Sequence, residues 1–191
     1  MLESNSRSHL KRLAPKFYQG PTSYVHWTMT IDKRAKGWLN DLMHSRVRES
    51  LMHSLVKAHL ICPIYILMPN HGHFLLVGYD ARSDHLQAVA HFRRQWNQLL
   101  KPGFKLQHQS YDNVLRENDR ERNAFQSIAY YISQNPVRSG IVSDASDYPY
   151  MGSIFPGRPK MDARKEGFWN GFWLGYGRLC EGDENPRESL A

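Results

Sequence analysis

Two apolar runs, residues 61–67 and 71–77, are separated by only three residues, Met68, Pro69 and Asn70. Both runs are short and rich in the β-branched and aromatic residues that favour strands. A three-residue connection is long enough for a hairpin and far too short for the crossover that parallel strands need. The two runs therefore predict an antiparallel pair of strands, and the chain must build its sheet around it.

The rest of the chain alternates between strand-like and helix-like patterns. Residues 24–31 alternate with period two, which predicts a strand, and a short strand is expected within 104–116. Apolar residues at spacings of three and four predict three helices: 38–59, 84–100 and 118–135. The order β-α-β-β-α-(β)-α predicts an α+β fold with helices on one face of an antiparallel sheet.

Two histidines, His71 and His73, open the second strand of the hairpin. Alternate side chains of a strand point to the same face, so these imidazoles are expected side by side. Neutral imidazoles that converge on one point can share a metal ion. Taken alone, the pair is more simply explained as two solvent-facing histidines at a strand end.

The predicted helix over 118–135 carries a tyrosine and an asparagine near its end, Tyr131 and Asn135. Residues four apart share a helix face, so their side chains can meet. A tyrosine can act as a nucleophile toward phosphorus, and an amide oxygen is an acceptable ligand for Mg²⁺ or Mn²⁺. In isolation, Tyr131 is more simply half-buried against the sheet, and Asn135 is a helix-terminal residue before Pro136.

Considered together, the two segments resemble the signatures of the single-tyrosine HUH endonucleases, and most closely those of the REP-associated tyrosine transposases. Residues 68–76, MPNHGHFLL, resemble the family's MPNHxHxLL motif. Residues 131–140, YISQNPVRSG, resemble its tyrosine, three residues and then Asn-Pro-hydrophobic-Arg/Lys-Ala-Gly. The resemblance covers roughly residues 24 to 150 and departs from the pattern at Gly72, usually a bulky hydrophobic residue, and at Ser139, usually Ala.

The resemblance implies a ferredoxin-like HUH fold, in which helices pack on an antiparallel sheet. It implies that Tyr131 is the nucleophile and that His71, His73 and Asn135 hold one Mg²⁺ or Mn²⁺ ion. The implied substrate is single-stranded or hairpin DNA of the REP type, cleaved and rejoined through a 5′-phosphotyrosine. The adjacent Tyr130 lacks an asparagine four residues later, so it is not the predicted nucleophile. Gly72 is expected to weaken the strand locally rather than to affect metal binding.

Lys and Arg outnumber Asp and Glu by 25 to 18, for a net charge of +7. The excess is concentrated in residues 1–60, whereas residues 181–191 are acidic. A basic body suits a polyanionic partner such as nucleic acid. The basic residues predicted to contact DNA are Arg7, Lys11, Arg12, Lys16, Lys33, Arg34, Lys36, Arg93, Arg94 and Arg138.

Three parts of the chain are predicted: a basic, flexible arm (1–20), an HUH nuclease domain (21–150) and an aromatic-rich C-terminal extension (151–191), with a helix expected near 168–176. No apolar stretch approaches the ~18 residues of a membrane span. Two cysteines, Cys62 and Cys180, are too few for a disulfide framework, and no secretory signal is recognisable. These features predict a cytoplasmic protein without a membrane partner.

Two alternatives and one question stay open. The chain could be a domesticated relative that binds DNA hairpins without cleaving them. It could also be an unrelated zinc hydrolase that uses His71 and His73 with a carboxylate. Neither alternative accounts for residues 131–140. The sequence also leaves open whether the protein acts as a monomer or as a homodimer.

Overall fold

The computed structural model describes residues 12–159 and 161–182. The main elements, in chain order, are β1 (Tyr24–Thr30), α1 (Asp41–Lys57), β2 (Leu60–Met68), β3 (His71–Gly78), α2 (His85–Leu99), β4 (Tyr111–Val114), α3 (Arg122–Ser133), α4 (Asn135–Arg138), β5 (Met151–Ile154) and α5 (Phe168–Glu181). Asn40 and Asp84 cap α1 and α2, because their side-chain oxygens accept backbone N–H groups that the first helical turn leaves unpaired.

The five strands form one sheet in the order β4-β1-β3-β2-β5, and every neighbouring pair is antiparallel. The predicted hairpin is confirmed as β2 and β3. Two bonds from outside fix its turn: the backbone N–H of Ile31 donates to Asn70 O at 2.9 Å, and Trp38 Nε1–H donates to Pro69 O at 2.8 Å. The strand that begins at His71 therefore has a well-defined starting position.

Helices cover both faces of the sheet, and the prediction of helices on one face is wrong. On the first face, α1 and α2 pack on side chains such as Trp27 and Phe74. On the second face, α3 and α5 pack on Ile66 and Leu75. The reason is visible in β2, whose nine residues are all buried, as expected for a strand covered on both sides.

The predicted helix over 118–135 is divided. A short 3-10 turn, Glu117–Arg120, precedes α3, which ends at Ser133. Asn135 begins the separate single turn α4. Pro136 lacks a backbone N–H, so the regular hydrogen-bond ladder cannot pass through it. Tyr131 and Asn135 therefore lie on consecutive helical segments rather than on one uninterrupted helix.

Part of the predicted N-terminal arm packs on the sheet. Residues Pro15–Tyr18 form a 3-10 helix, and Tyr18 is completely buried, with its hydroxyl donating to Asp112. Residues 12–20 thus contact the body of the protein and are not a flexible arm. The first 11 residues of the predicted arm lie outside the described residues.

The predicted boundary at residue 150 does not coincide with an edge of the packed structure. The strand β5 directly after it pairs with β2 in the main sheet. The expected helix near 168–176 is confirmed as α5, and Phe172 and Tyr176 on it are buried against the second face. The Tyr176 hydroxyl donates to Gly78 O at 3.0 Å, which ties this helix to the end of β3.

Gly72 has a packing reason in this chain. A Cβ atom built there would lie 2.9 Å from Phe74 Cζ and 3.2 Å from Leu67 Cδ2. The Phe74 ring therefore occupies the space that a side chain at position 72 would need. Gly72 faces the side of the sheet opposite His71 and His73, since side chains alternate along a strand.

Candidate functional site

The two predicted histidines converge on the second face of the sheet. His71 and His73 stand on β3, opposite Thr30 and Thr28 of β1. Their Nε2 atoms are 3.1 Å apart. Two imidazoles bound to one ion at ordinary metal–nitrogen distances have their nitrogens about 2.9–3.4 Å apart. The spacing of the pair therefore fits a shared cation.

Hydrogen bonds orient both rings. His71 Nδ1 lies 2.6 Å from Asn70 Oδ1, which accepts its proton and leaves Nε2 of neutral His71 with a free lone pair. Thr28 Oγ1 lies 3.1 Å from Nδ1 of His73. When that Nδ1 carries the proton, Nε2 of His73 also presents a lone pair. Such outer bonds fix the tautomer of ligating histidines in metal sites.

A third histidine, which the sequence prediction missed, lies behind the pair. His26 on β1 places its Nε2 atom 3.1 Å from Nδ1 of His73. The available signal was the alternation of β1, where His26, Thr28 and Thr30 occupy every second position among apolar residues. That polar face identifies the side of β1 that meets the histidines of β3.

Burial keeps the three rings neutral at physiological pH. It lowers the pKa of His26 to about 4. Burial lowers the pKa of His73 to about 3, and repulsion from His26 and His71, when those rings are protonated, and from Arg138 adds to the effect. The pKa of His71 is lowered by burial and then by the charge of Arg34. Neutral imidazole is the form that binds metal ions.

The helix-borne part of the site lies at the end of α3. Tyr131 is 62% exposed, so its hydroxyl is open to a ligand from solvent. The guanidinium carbon of Arg138 lies 3.8 Å from the centroid of the Tyr131 ring. Arg138 Nη2 also donates to Asn135 Oδ1 at 3.1 Å. The predicted pair Tyr131 and Asn135 is therefore joined through Arg138.

The Asn-Pro sequence explains how Asn135 is oriented. Pro136 has no N–H to offer Ile132 O, its partner four residues back. Asn135 Nδ2 donates to that carbonyl instead, at 2.8 Å. A carbonyl only accepts and a guanidinium only donates, so these two neighbours determine which amide atom is oxygen. Oδ1 consequently accepts the bond from Arg138 and has one lone pair still available.

The helix end and the histidine pair belong to one region of the molecule. Ile132, which follows Tyr131, is buried in the same apolar cluster as Met68, and Met68 pairs with His71 across the hairpin. The effect of Arg138 on the pKa of His73 also places its charge near the pair. The fold therefore brings the two sequence motifs to one side of the sheet.

The spacing of the His71 and His73 Nε2 atoms fits a divalent ion shared by the two imidazoles. Among residues 12–159 and 161–182, no group of three or more His, Cys, Asp or Glu side chains is arranged to hold a metal. The carboxylate that the zinc hydrolase alternative requires therefore does not join His71 and His73 in the described part of the chain. Asn135 is the remaining predicted protein ligand.

The four basic residues of the predicted arm differ in their exposure and in their contacts. Arg7 and Lys11 lie outside the described residues. Arg12 is 3.2 Å from the carboxylate of Asp112, in an ion pair that holds it to the sheet. Lys16 is exposed. Of these four, Lys16 is the described side chain most available to a DNA phosphate.

Arg93 and Arg94 are consecutive on α2, but their side chains have different surroundings. Arg93 donates to Ser110 Oγ at 2.7 Å and to His108 O at 3.1 Å, so it fastens a loop to the helix. Arg94 is exposed. The sequence prediction that both residues face water or a ligand is therefore wrong for Arg93, because loop carbonyls and a hydroxyl already engage its guanidinium.

The basic turn after β1 lies near the histidine pair. Lys33, Arg34 and Lys36 are all exposed. Lys33 and Arg34 both have φ of 54°, a left-handed conformation that non-glycine residues rarely adopt and that costs on the order of 1 kcal/mol each. The charge of Arg34 reaches His71, as the lowered pKa of that histidine indicates. Positive charge from Arg34 therefore acts on His71, and positive charge from Arg138 acts on His73.

The described residues contain no helix long and apolar enough to cross a membrane.

Fold and site together define an antiparallel α+β domain in which a paired-histidine strand and an exposed helical tyrosine share one face of the sheet.

A solved structure with a similar architecture is known. The structure is similar to that of a REP-associated tyrosine transposase bound to a REP hairpin, with a TM-score of 0.60. The match covers 75% of this chain and 81% of that chain, at 16% sequence identity. The fold predicted from the two motifs is thereby confirmed. No family model and no curated protein matches the sequence.

Proposed function

We propose that this protein is a metal-dependent endonuclease and strand transferase that cleaves single-stranded DNA near hairpins through a 5′-phosphotyrosine. The observation that carries the proposal is the joint placement of two elements. A converging, neutral histidine pair stands on β3, and an exposed tyrosine stands on the helix that packs over the same face. The similar structure is that of a transposase bound to a REP hairpin, which supports hairpin DNA as the substrate class.

The proposed metal ligands are His71, His73 and Asn135, and the proposed ion is Mg²⁺ or Mn²⁺. When bound, the ion would supply positive charge to the non-bridging oxygens of the scissile phosphate. The imidazoles are neutral and hydrogen-bonded on their outer edges, which prepares them as ligands. Asn135 Oδ1 keeps one lone pair beside the bond from Arg138.

Tyr131 is the proposed nucleophile. Its Oη atom attacks phosphorus and forms the Oη–P bond, while the bond from phosphorus to the 3′-oxygen breaks. The phenolic proton is lost to solvent, and the departing 3′-oxygen takes up a proton to become a 3′-hydroxyl. A phosphodiester is retained in the phosphotyrosine, so a 3′-hydroxyl can attack it in turn and rejoin the strands.

Positive side chains around the site are proposed to hold the DNA backbone. Phosphate contacts supply most of the affinity for nucleic acid and are independent of base sequence. The exposed candidates near the histidines are Lys33, Arg34, Lys36 and Arg138. Lys16 and Arg94 are exposed candidates elsewhere, and Arg7 and Lys11 are candidates from the sequence alone.

A second candidate function is hairpin binding without cleavage. One observation favours it: Asn135 Oδ1 already accepts a bond from Arg138, and its Nδ2 atom is engaged by Ile132 O. If the bond from Arg138 occupies the lone pair of Oδ1 that the ion needs, the protein would bind DNA without assembling the three metal ligands.

The test is a cleavage assay on a DNA hairpin with single-stranded flanks, in Mg²⁺ or Mn²⁺ and in chelator. The proposal predicts strand cleavage that needs the ion and is lost in His71→Ala and in His73→Ala. His53→Ala is the matched control, because His53 is exposed on α1 over the first face of the sheet. Hairpin binding without cleavage under any of these conditions would establish the second candidate, and undiminished cleavage in chelator would remove the metal role.

A further inference from the structure

One side chain contacts both members of the helical motif. The Arg138 guanidinium carbon lies 3.8 Å from the centroid of the Tyr131 ring, and its Nη2 atom lies 3.1 Å from Asn135 Oδ1. The other contacts between a cationic group and an aromatic ring in the described residues lie at 5.3–5.9 Å. The Tyr131 contact is therefore much closer than the rest.

The shape of the guanidinium makes this double contact possible. A planar guanidinium can lie flat on a ring while its edge donates a hydrogen bond, whereas a lysine ammonium is a point charge on a flexible stem. The acceptor is itself held in place, because Asn135 Nδ2 is bonded to Ile132 O. Arg138 therefore links a 62% exposed tyrosine to an amide with a defined orientation.

We propose that Arg138 is a positioning residue, which fixes the direction of the Tyr131 ring relative to Asn135 before DNA binds. The inference rests on the proposed function, in which Tyr131 attacks phosphorus and Asn135 is a metal ligand. An exposed tyrosine otherwise samples several rotamers, and a nucleophile held near its attack geometry avoids that entropic loss during the reaction.

A role limited to phosphate binding predicts a different result. Loss of a phosphate contact weakens DNA affinity, and the slope of log K against log salt becomes shallower by about 0.7–0.9. Arg138→Lys retains the positive charge and therefore most of such a contact. Loss of ring positioning instead slows the chemical step while DNA stays bound.

The experiment combines a spectroscopic and a kinetic measurement on the full-length protein. A fluorotyrosine is placed at position 131, and in a second sample at position 130, whose side chain is 67% exposed. The ¹⁹F spectra are recorded without DNA or metal for the wild type, Arg138→Lys and the control Arg46→Lys, whose side chain is exposed on α1 over the first face of the sheet. Single-turnover cleavage at saturating hairpin DNA and the hairpin Kd are measured for the unlabelled proteins.

Arg138→Lys is expected to move the position-131 resonance toward that of a solvent-exposed tyrosine and to leave the position-130 resonance unchanged. It is expected to slow single-turnover cleavage by about 10- to 100-fold, the size of a small misplacement of reacting groups, with little change in Kd. Arg46→Lys is expected to change neither the position-131 resonance nor the cleavage rate.

An unchanged position-131 resonance in Arg138→Lys would overturn the inference, as would a normal cleavage rate combined with a weaker Kd. A wild-type protein that does not cleave would instead overturn the proposed function and the catalytic part of the inference. The ¹⁹F comparison needs neither DNA nor metal, so it still decides whether Arg138 holds the ring. The two failures are therefore distinguishable.

Discussion

His26 Nε2 lies 3.1 Å from Nδ1 of His73, on the opposite edge of the ring from the Nε2 atom that faces His71. Thr28 Oγ1 shares the same Nδ1 atom. Together these two β1 side chains hold the ring of His73 from behind. The outer-shell contacts of His73 therefore come from a strand that carries none of the predicted metal ligands.

Replacing His26 should weaken metal binding without removing a ligand. His26→Phe keeps a ring in the space and removes both nitrogens, so His73 loses one of its orienting partners. We expect the affinity for Mn²⁺ to fall about 10-fold, a typical result of losing an outer-shell hydrogen bond. Titration of free Mn²⁺ by electron paramagnetic resonance measures this directly. His53→Phe, an exposed control, should bind as the wild type does, and equal affinities in all three proteins would contradict the assigned role of His26.

The buried histidine His85 should make the stability of the fold depend on pH. It is fully buried, its Nε2 atom lies 3.1 Å from both Ser23 O and Ser23 Oγ, and burial lowers its pKa to about 4. In the unfolded chain its pKa is about 6.5. Between these values the unfolded state binds more protons, so the free energy of unfolding falls as the pH falls. The contribution, present above pH 6.5, is about 3 kcal/mol and is lost progressively toward pH 4.

Urea unfolding at pH 7, 6 and 5 tests this dependence. His85→Gln should be less stable than the wild type at pH 7 and should lose less stability on acidification. Other buried histidines contribute to the wild-type slope, so the comparison is the difference between the two slopes. Equal slopes would show that His85 does not stay neutral in the folded protein.

Position 72 should tolerate a side chain only if its neighbour becomes smaller. A Cβ at Gly72 would meet the Phe74 ring at 2.9 Å. Gly72→Leu should therefore destabilise the fold by about 1–3 kcal/mol, the usual range for overpacking a core. Phe74→Ala leaves a cavity and should also destabilise. The double variant should be more stable than the sum of the two changes predicts, because the leucine occupies the vacated space. A double-mutant cycle from urea unfolding measures this coupling, and strict additivity would contradict the packing explanation for Gly72.

The sequence predicted the elements whose signals are local. The β2–β3 hairpin, α1 and α2 follow from periodicity and turn length within short windows. Coverage of both sheet faces depends on packing between distant segments, although the unbroken apolar run of β2 was a local sign of it. His26 was missed because its partner His73 is 47 positions away and becomes a neighbour only through strand pairing. The predicted helix 118–135 ends before Asn135, because the Asn135 side chain replaces the missing N–H of Pro136 as the donor to Ile132 O. The spacing of apolar residues carries no information about that hydrogen bond.

Removal of residues 1–11 should separate DNA binding from folding. Residues 12–20 pack on the sheet, with Tyr18 fully buried, so they should be retained in the truncated protein. If Arg7 and Lys11 contact phosphates, the truncation should weaken hairpin binding and make the slope of log K against log salt shallower by about 0.7–0.9 per lost contact. The free energy of unfolding should stay unchanged. An identical affinity and slope would show that these two residues do not contact DNA.

The central claim is that Tyr131 becomes covalently attached to DNA. The direct measurement is mass spectrometry of the protein after reaction with a hairpin oligonucleotide in Mn²⁺, followed by nuclease trimming and peptide mapping. We expect a nucleotide phosphate on Tyr131, absent from Tyr131→Phe and retained in Tyr130→Phe, although both tyrosines are exposed. Cleaved DNA with no protein adduct, or an adduct on Tyr130, would contradict it.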